Sequence, residues 1–330
     1  MNLNRVSKVF RRVIVLLGVI VVVYYLAILI ILPTSKGLIA KLIPEKDPPT
    51  PTFGQLNPLS FEEREVQGTP TYKLDTKSGK LPTTIPKKMT VYKFRKPAFS
   101  YQAGKDARDT ALFLGYTDAE LISDLKGTVF KWRHPISGGV LDIDTSTMEL
   151  ILNTPITPQL FVGIGRGFTK QTAIQSAKNL FTNVGRFDDK SYASGTQVAT
   201  LGKLVGNTVV ETTVESEAQI ARVDFFRKIG QYAVLGPDPK IGLLSTYVRK
   251  GGTDKYYNFP IVKSYNWEIE TPSSATYPII PVEEAWKQVQ TNKGVISNVV
   301  PKNGNIFEIY KPVRVETIFI DSVYLAYYET

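Results

Sequence analysis

The chain has 330 residues, a formal net charge of +10 and 43% hydrophobic residues, ample apolar content for one or two folded domains. It contains no cysteine and a single histidine, which excludes disulfides, thiol catalysis, Cys-ligated zinc and any metal cluster built on several histidines. No Asn opens an N-x-Ser/Thr sequon, and together with the missing cysteine this fits a bacterial envelope protein better than a eukaryotic ectodomain.

The first pronounced feature is residues 13–32, VIVLLGVIVVVYYLAILIIL, which carry no charge. At 1.5 Å per residue such a run reaches about 30 Å, the thickness of a bilayer's hydrocarbon core. A cleaved signal peptide fits less well, because the run is long and no small-x-small cleavage site follows it. A buried core helix is rarely apolar on every face for so many turns. Arg5, Lys8, Arg11 and Arg12 precede the run without an acidic residue among them, which places the N terminus on the cytoplasmic side. The expectation is therefore a cytoplasmic tail over 1–12, a transmembrane helix over 13–32, and an extracytoplasmic remainder. This describes a single-pass protein of a bacterial cell membrane with a signal anchor. Without the four charges of the tail, the remainder carries 10 − 4 = +6, a basic surface suited to lipid head groups or an anionic wall polymer.

Residues 33–60 read as a proline-rich linker, with Pro48, Pro49, Pro51 and Pro58 stiffening it. Within it, Leu38, Ile39, Leu42 and Ile43 sit at helical spacing, either an amphipathic turn at an interface or a plain spacer. The folded region starts near Phe61, with strands over 72–75 and 89–94. Ala103, Ala107, Ala111 and Leu114 then recur at i, i+4, i+8 and i+11, and Gly115 stands where a helix-ending glycine belongs. GTVFKWRH, VLDID and MELILN follow as an antiparallel meander joined by the turns PISGG and TST. A second helix begins at Thr169, a suitable N-cap, with Ala173, Ile174, Ala177, Leu180 and Phe181 on one face. Strands TQVATLGKLVG, AQIARVDFFRKI, YAVLG, LLSTYVRK and KYYNFPIVKSYNWEIE come next. In the last, Tyr265, Trp267 and Ile269 alternate with Asn266, Glu268 and Glu270, as on a sheet with one wet face. A third helix opens at Pro281, with Val282, Ala285, Trp286 and Val289 on its apolar side. The alternating residues from Val323 to Tyr328 read as an interior strand.

Few residues point to chemistry. His134, before Pro135 at a strand end, reads as a surface turn residue. GIGRG over 163–167 lacks the third glycine of a dinucleotide fingerprint, since position 168 is Phe, and lacks the Gly-Lys-Ser/Thr of a P-loop. It reads as a connection into the second helix. Asp142, Asp144 and Ser146 echo the start of a calcium loop, but Thr147 and Asn153 stand where Gly and Glu are needed, so a hairpin turn capped by Asp144 is the simpler reading. The adjacent pairs Glu62–Glu63, Asp188–Asp189 and Glu283–Glu284 suit glycosidase chemistry only when folded face to face. No catalytic, cofactor-binding or metal-binding residue is assigned. The tyrosines Tyr256, Tyr257, Tyr265 and those of 324–328 suit both core packing and contact surfaces.

The helix over 103–114 followed by GTVFKWRH…GVLDIDTSTMELIL resembles a PepSY-like unit, one helix on an antiparallel sheet. The phrases TKQTAIQSAKNLF, ARVDFFR, TYPIIPVEEAWKQV and VYLAYYE are similar to the YycI/YycH group of single-pass regulators. That resemblance implies a membrane-tethered protein that modulates a sensor kinase by protein contacts. The fold class expected is α+β: an N-terminal transmembrane helix, then two or three units of one helix packed on an antiparallel sheet. A first PepSY-like unit falls over 61–165 and a larger YycI-like region over 166–330. The function expected is a non-enzymatic interaction or regulatory protein of the bacterial envelope, without cofactor and without a nucleic-acid partner. The alternative is a structural module that binds cell wall or an anionic polymer.

Overall fold

Two runs of small apolar residues decide where the helices sit. In a computed structural model, the described residues are 48–329 apart from 96, 99, 123–126, 188, 189, 253, 266, 267, 301–303 and 309, together with Leu17, Val21, Val22, Tyr24 and Tyr25. The chain divides into two units at Thr50, and everything below concerns the second unless stated. Its elements begin with β1 (Thr71–Leu74), β2 (Lys88–Arg95), α1 (Ala103–Phe113), β3 (Val129–Arg133), β4 (Val140–Asp144) and β5 (Leu150–Asn153). There follow α2 (Lys170–Asn183), the short α3 (Lys190–Ala193), β6 (Thr196–Val205), β7 (Thr208–Thr212), β8 (Ile220–Ile229), β9 (Tyr232–Leu235) and β10 (Leu244–Arg249). The last are β11 (Ile261–Ser264), β12 (Glu268–Pro278), α4 (Val282–Gln290), β13 (Thr317–Ile320) and β14 (Tyr327–Tyr328).

Ala107 and Ala111 of α1, and Ala173 and Ala177 of α2, are buried, so both helices approach the sheet closely along faces with little side chain between. Gly115, at φ +90°, ends α1 where a Cβ would lie 2.7 Å from the Tyr256 backbone nitrogen. Thr169 caps α2: its hydroxyl accepts from the Thr172 N–H at 3.1 Å, and the Thr172 hydroxyl accepts from the Thr169 N–H at 3.1 Å. Thr169→Ala is expected to lower the unfolding free energy by about 1 kcal/mol. Urea denaturation would read this as a lower midpoint at unchanged slope.

One sheet carries both helices. Eight strands run in the order β7-β6-β8-β10-β11-β5-β4-β3, antiparallel throughout, and β9 folds back on the end of β8 with β14 parallel beside it. Trp132, Leu141, Leu152, Val262, Leu244, Val223 and Leu201 point to one face and form a single cluster with the buried residues of α1 and α2. Outside this sheet, β2 pairs antiparallel with β12, and β1 pairs parallel with β13.

The expected fold class is corrected by this topology. The structure is mostly β, with ten strands in one sheet, rather than two or three helix-on-sheet units. β10 and β11 return from late in the chain and insert between β8 and β5, so the strands before and after 165 join one sheet over one core. α4 lies off that core: Val282, Ala285, Trp286 and Val289 are its more covered side, but none is buried. The strand expected over 323–328 is reduced to Tyr327 and Tyr328.

The transmembrane helix is corrected as well, and with it the signal anchor, the single-pass placement in a bacterial cell membrane, the cytoplasmic N terminus and the extracytoplasmic remainder. Among the described residues no helix is long and apolar enough to cross a membrane. A crossing takes about 20 apolar residues, whereas the longest described helix, α2, has 14 and is amphipathic. Of the run over 13–32, only Leu17, Val21, Val22, Tyr24 and Tyr25 are described. The tail over 1–12, the amphipathic turn near 38–43 and the first part of the linker lie outside the described residues.

Candidate functional site

The face of the sheet turned away from α1 and α2 is built by strict alternation. Wherever Leu152, Val262, Leu244 and Val223 point to the helices, their neighbours point the other way. Cross-strand register lines up one row of these neighbours over seven strands: Lys131, Asp142, Ile151, Lys263, Ser245, Asp224 and Val198. A second row places Asn153 opposite Ile261, and Tyr247 opposite Arg222. Between these rows lies a groove of about 280 Å³, lined by Ile151, Asn153, Ile241, Tyr247, Ile261, Arg222 and Lys263 among others. Toward the end of the sheet near Arg249, this face is closed by a second apolar cluster in which Leu160 and Phe161 pack with Ile220, Val209 and Tyr257. The groove is an open part of this face.

Its charges are unequally matched. Arg222 Nε lies 2.8 Å from Asp224 Oδ2, and Arg222 also donates to the Lys240 carbonyl at 2.8 Å. Asp224 accepts from the Gly242 N–H at 3.0 Å. Lys131 Nζ lies 3.2 Å from Asp142 Oδ2. Lys263, midway between those two ion pairs, has no carboxylate partner among the described residues. Each pair stands two strands away, a distance of about 10 Å at ordinary strand spacing. Burial pushes the Tyr247 phenol up, with the Arg222 guanidinium pulling against it and Asp224 reinforcing it. Toward β4 the same face turns acidic: burial, then the carboxylates of Asp144 and Asp142, push the Glu149 carboxyl up.

The candidates picked out by sequence lie elsewhere. His134 is buried rather than a surface turn residue: its ring stacks on Tyr256 at 3.9 Å, Nδ1 accepts from the Ser137 N–H at 3.2 Å, and Nε2 lies 3.8 Å from Glu120 Oε1. The GIGRG stretch forms the connection before α2, where Lys250 Nζ donates to the Arg166 carbonyl. Over 142–149, the Asp144 carboxylate accepts from the Ser146 N–H at 2.8 Å and the Ser146 hydroxyl at 2.7 Å, a turn-capping arrangement. Burial raises that carboxyl, but the bonds from Ser146 outweigh it and hold Asp144 below the usual range. Among the described residues no group of three or more His, Asp or Glu side chains is placed to hold a metal ion. Glu62 pairs with Arg64 at 3.0 Å, and Glu283 and Glu284 occupy the first turn of α4. Asp188–Asp189, Asn266 and Trp267 lie outside the described residues. Tyr256 and Tyr257 belong to a 3-10 turn rather than a strand.

No protein family, curated protein or solved structure matches this chain. Lys263, Arg222, Ile151 and Ile261 were not singled out by the sequence. The available signal was the alternation of Ile261 and Lys263 with Val262 and Ser264, which marks a strand with one open face but not the neighbours of that face.

Proposed function

We propose that this chain is a non-enzymatic interaction protein of regulatory type that engages a partner protein through the groove on the open face of its sheet. The observation that carries this is the groove itself, where Ile151, Ile241, Ile261 and the Tyr247 ring surround the unmatched cation Lys263. Apolar and aromatic walls around a few oriented polar groups are what a recognition site needs. The phrases TKQTAIQSAKNLF, ARVDFFR, TYPIIPVEEAWKQV and VYLAYYE, which resemble the YycI/YycH group of regulators, support action by protein contacts, with a sensor kinase as the kind of partner implied.

The test is photocrosslinking in cells from a benzoylphenylalanine placed at position 261, with position 101 as a control remote in sequence and fully exposed. One protein recovered in near-constant proportion from position 261, and not from 101, is the expected result. Ile151→Arg, which fills the groove with a third cation beside Arg222 and Lys263, is expected to lower that yield about tenfold or more, the loss of one good interface contact. Equal recovery from both positions, or a yield indifferent to Ile151→Arg, would sink the proposal.

A further inference from the structure

We infer that the occupant of the groove is an extended peptide with one acidic residue flanked by apolar ones, the carboxylate seated on Lys263. This deepens the interaction reading above and rests on it. Charge counting supplies the acid. Across the central row and its neighbour, Lys131 is matched by Asp142 and Arg222 by Asp224, leaving Lys263 as the single cation without a carboxylate among the described residues. One negative charge balances the groove.

The same pattern decides against a polyanion such as a wall polymer. A repeated anion is held by a run of cations, whereas this face alternates them with Asp142 and Asp224 and turns acidic at Asp144 and Glu149. Each successive anionic unit would meet a carboxylate within a few strands. The groove walls are instead branched aliphatics, Ile151, Ile241 and Ile261, which suit apolar side chains on either side of one acid. Asn153 supplies an amide at the edge, able both to donate to and accept from a peptide backbone.

The experiment is selection of a random heptapeptide library on the immobilised full-length chain, run in parallel on Lys263→Met and Lys263→Arg, with fluorescence anisotropy of the recovered peptides. The wild type is expected to enrich one Asp or Glu between apolar residues. Replacing that acid by its amide is expected to weaken binding about tenfold, the scale of one charge-assisted hydrogen bond. Lys263→Met abolishes the discrimination and Lys263→Arg keeps it, while both variants melt as the wild type does. The inference falls if the wild type enriches nothing, if it enriches peptides without an acid, or if Lys263→Met still prefers the acid. It also falls if inorganic polyphosphate competes more strongly than the selected peptides. Photocrosslinking of one protein from position 261 that persists in Lys263→Met would leave the interaction reading standing while removing the acid.

Discussion

Glu329→Ala is expected to lower the unfolding free energy by about 3–5 kcal/mol, the usual cost of removing one member of a buried ion pair. Glu329 Oε2 lies 3.5 Å from Arg227 Nη1, and both side chains are almost wholly enclosed, at 3% and 1% exposure. The guanidinium also lies over the Tyr192 ring at 5.4 Å. Alanine takes this carboxylate away from the buried guanidinium, so part of the cation's desolvation is no longer offset. The damage should spread along a defined path. Glu329 follows β14, whose Tyr328 ring lies tilted against Phe61 with centroids 4.4 Å apart, so the segment before β1 loses an anchor as β14 loosens. The double variant Arg227→Met with Glu329→Leu removes both charges and fills the space, and is expected to recover most of the loss. Urea denaturation of all three chains, with hydrogen exchange at Tyr327 and Tyr328, separates these outcomes. A double variant as unstable as Glu329→Ala would show that packing, not the stranded charge, carries the effect.

How far the fold can be read from the residues depends on how local its causes are. The Ala103, Ala107, Ala111 spacing and Gly115 mark α1, and Thr169 with its apolar face marks α2, because capping and amphipathicity act within a few residues. The β3-β4-β5 meander follows from turn chemistry at 135–139 and 145–147. What local pattern does not contain is that β11 inserts beside β5 and β10 beside β8. IVKS is too short to name its partner, since its alternation sets the faces of the strand but not its neighbours, so the merging of two meanders into one sheet is not legible locally. The groove shares this origin. Arg222 and Lys263 are 41 positions apart, and only register across β8, β10 and β11 brings them to one surface. His134 shows the converse: a polar residue in a turn is buried because Tyr256, distant in sequence, stacks on it.

Arg249→Leu is expected to cost about 3–5 kcal/mol and to free His134. Arg249 is 5% exposed, yet no carboxylate among the described residues lies within ion-pair distance of it. Its guanidinium instead donates to the Leu160 carbonyl at 3.0 Å, the Asp254 carbonyl at 3.3 Å and Asn258 Oδ1 at 3.2 Å, and lies over the Tyr257 ring at 5.3 Å. Burial lowers its pKa, with Asp254, Tyr257 and Tyr256 pulling the other way, but an arginine keeps its charge at neutral pH. Bonds from a charged donor contribute roughly 1.5–3 kcal/mol each and do not add fully, which sets the scale. Leucine takes the donor from the buried Leu160 carbonyl in the 3-10 turn Pro158–Phe161 and removes the bonds to the Asp254 carbonyl and Asn258 Oδ1 that hold the loop around Lys255–Tyr257. Once that loop loosens, Tyr256 leaves the His134 ring. His134 is the one histidine in the chain, so the rate at which diethyl pyrocarbonate modifies the protein's histidine reports this step without ambiguity. Slow modification in the wild type, faster modification in Arg249→Leu and an intermediate rate in Arg249→Lys are expected, since lysine keeps the charge but not the fork that reaches three acceptors. A leucine variant that melts early while His134 stays protected would place the loss in the turn at Leu160 alone. A variant with unchanged melting and unchanged modification would show that the guanidinium holds neither stretch.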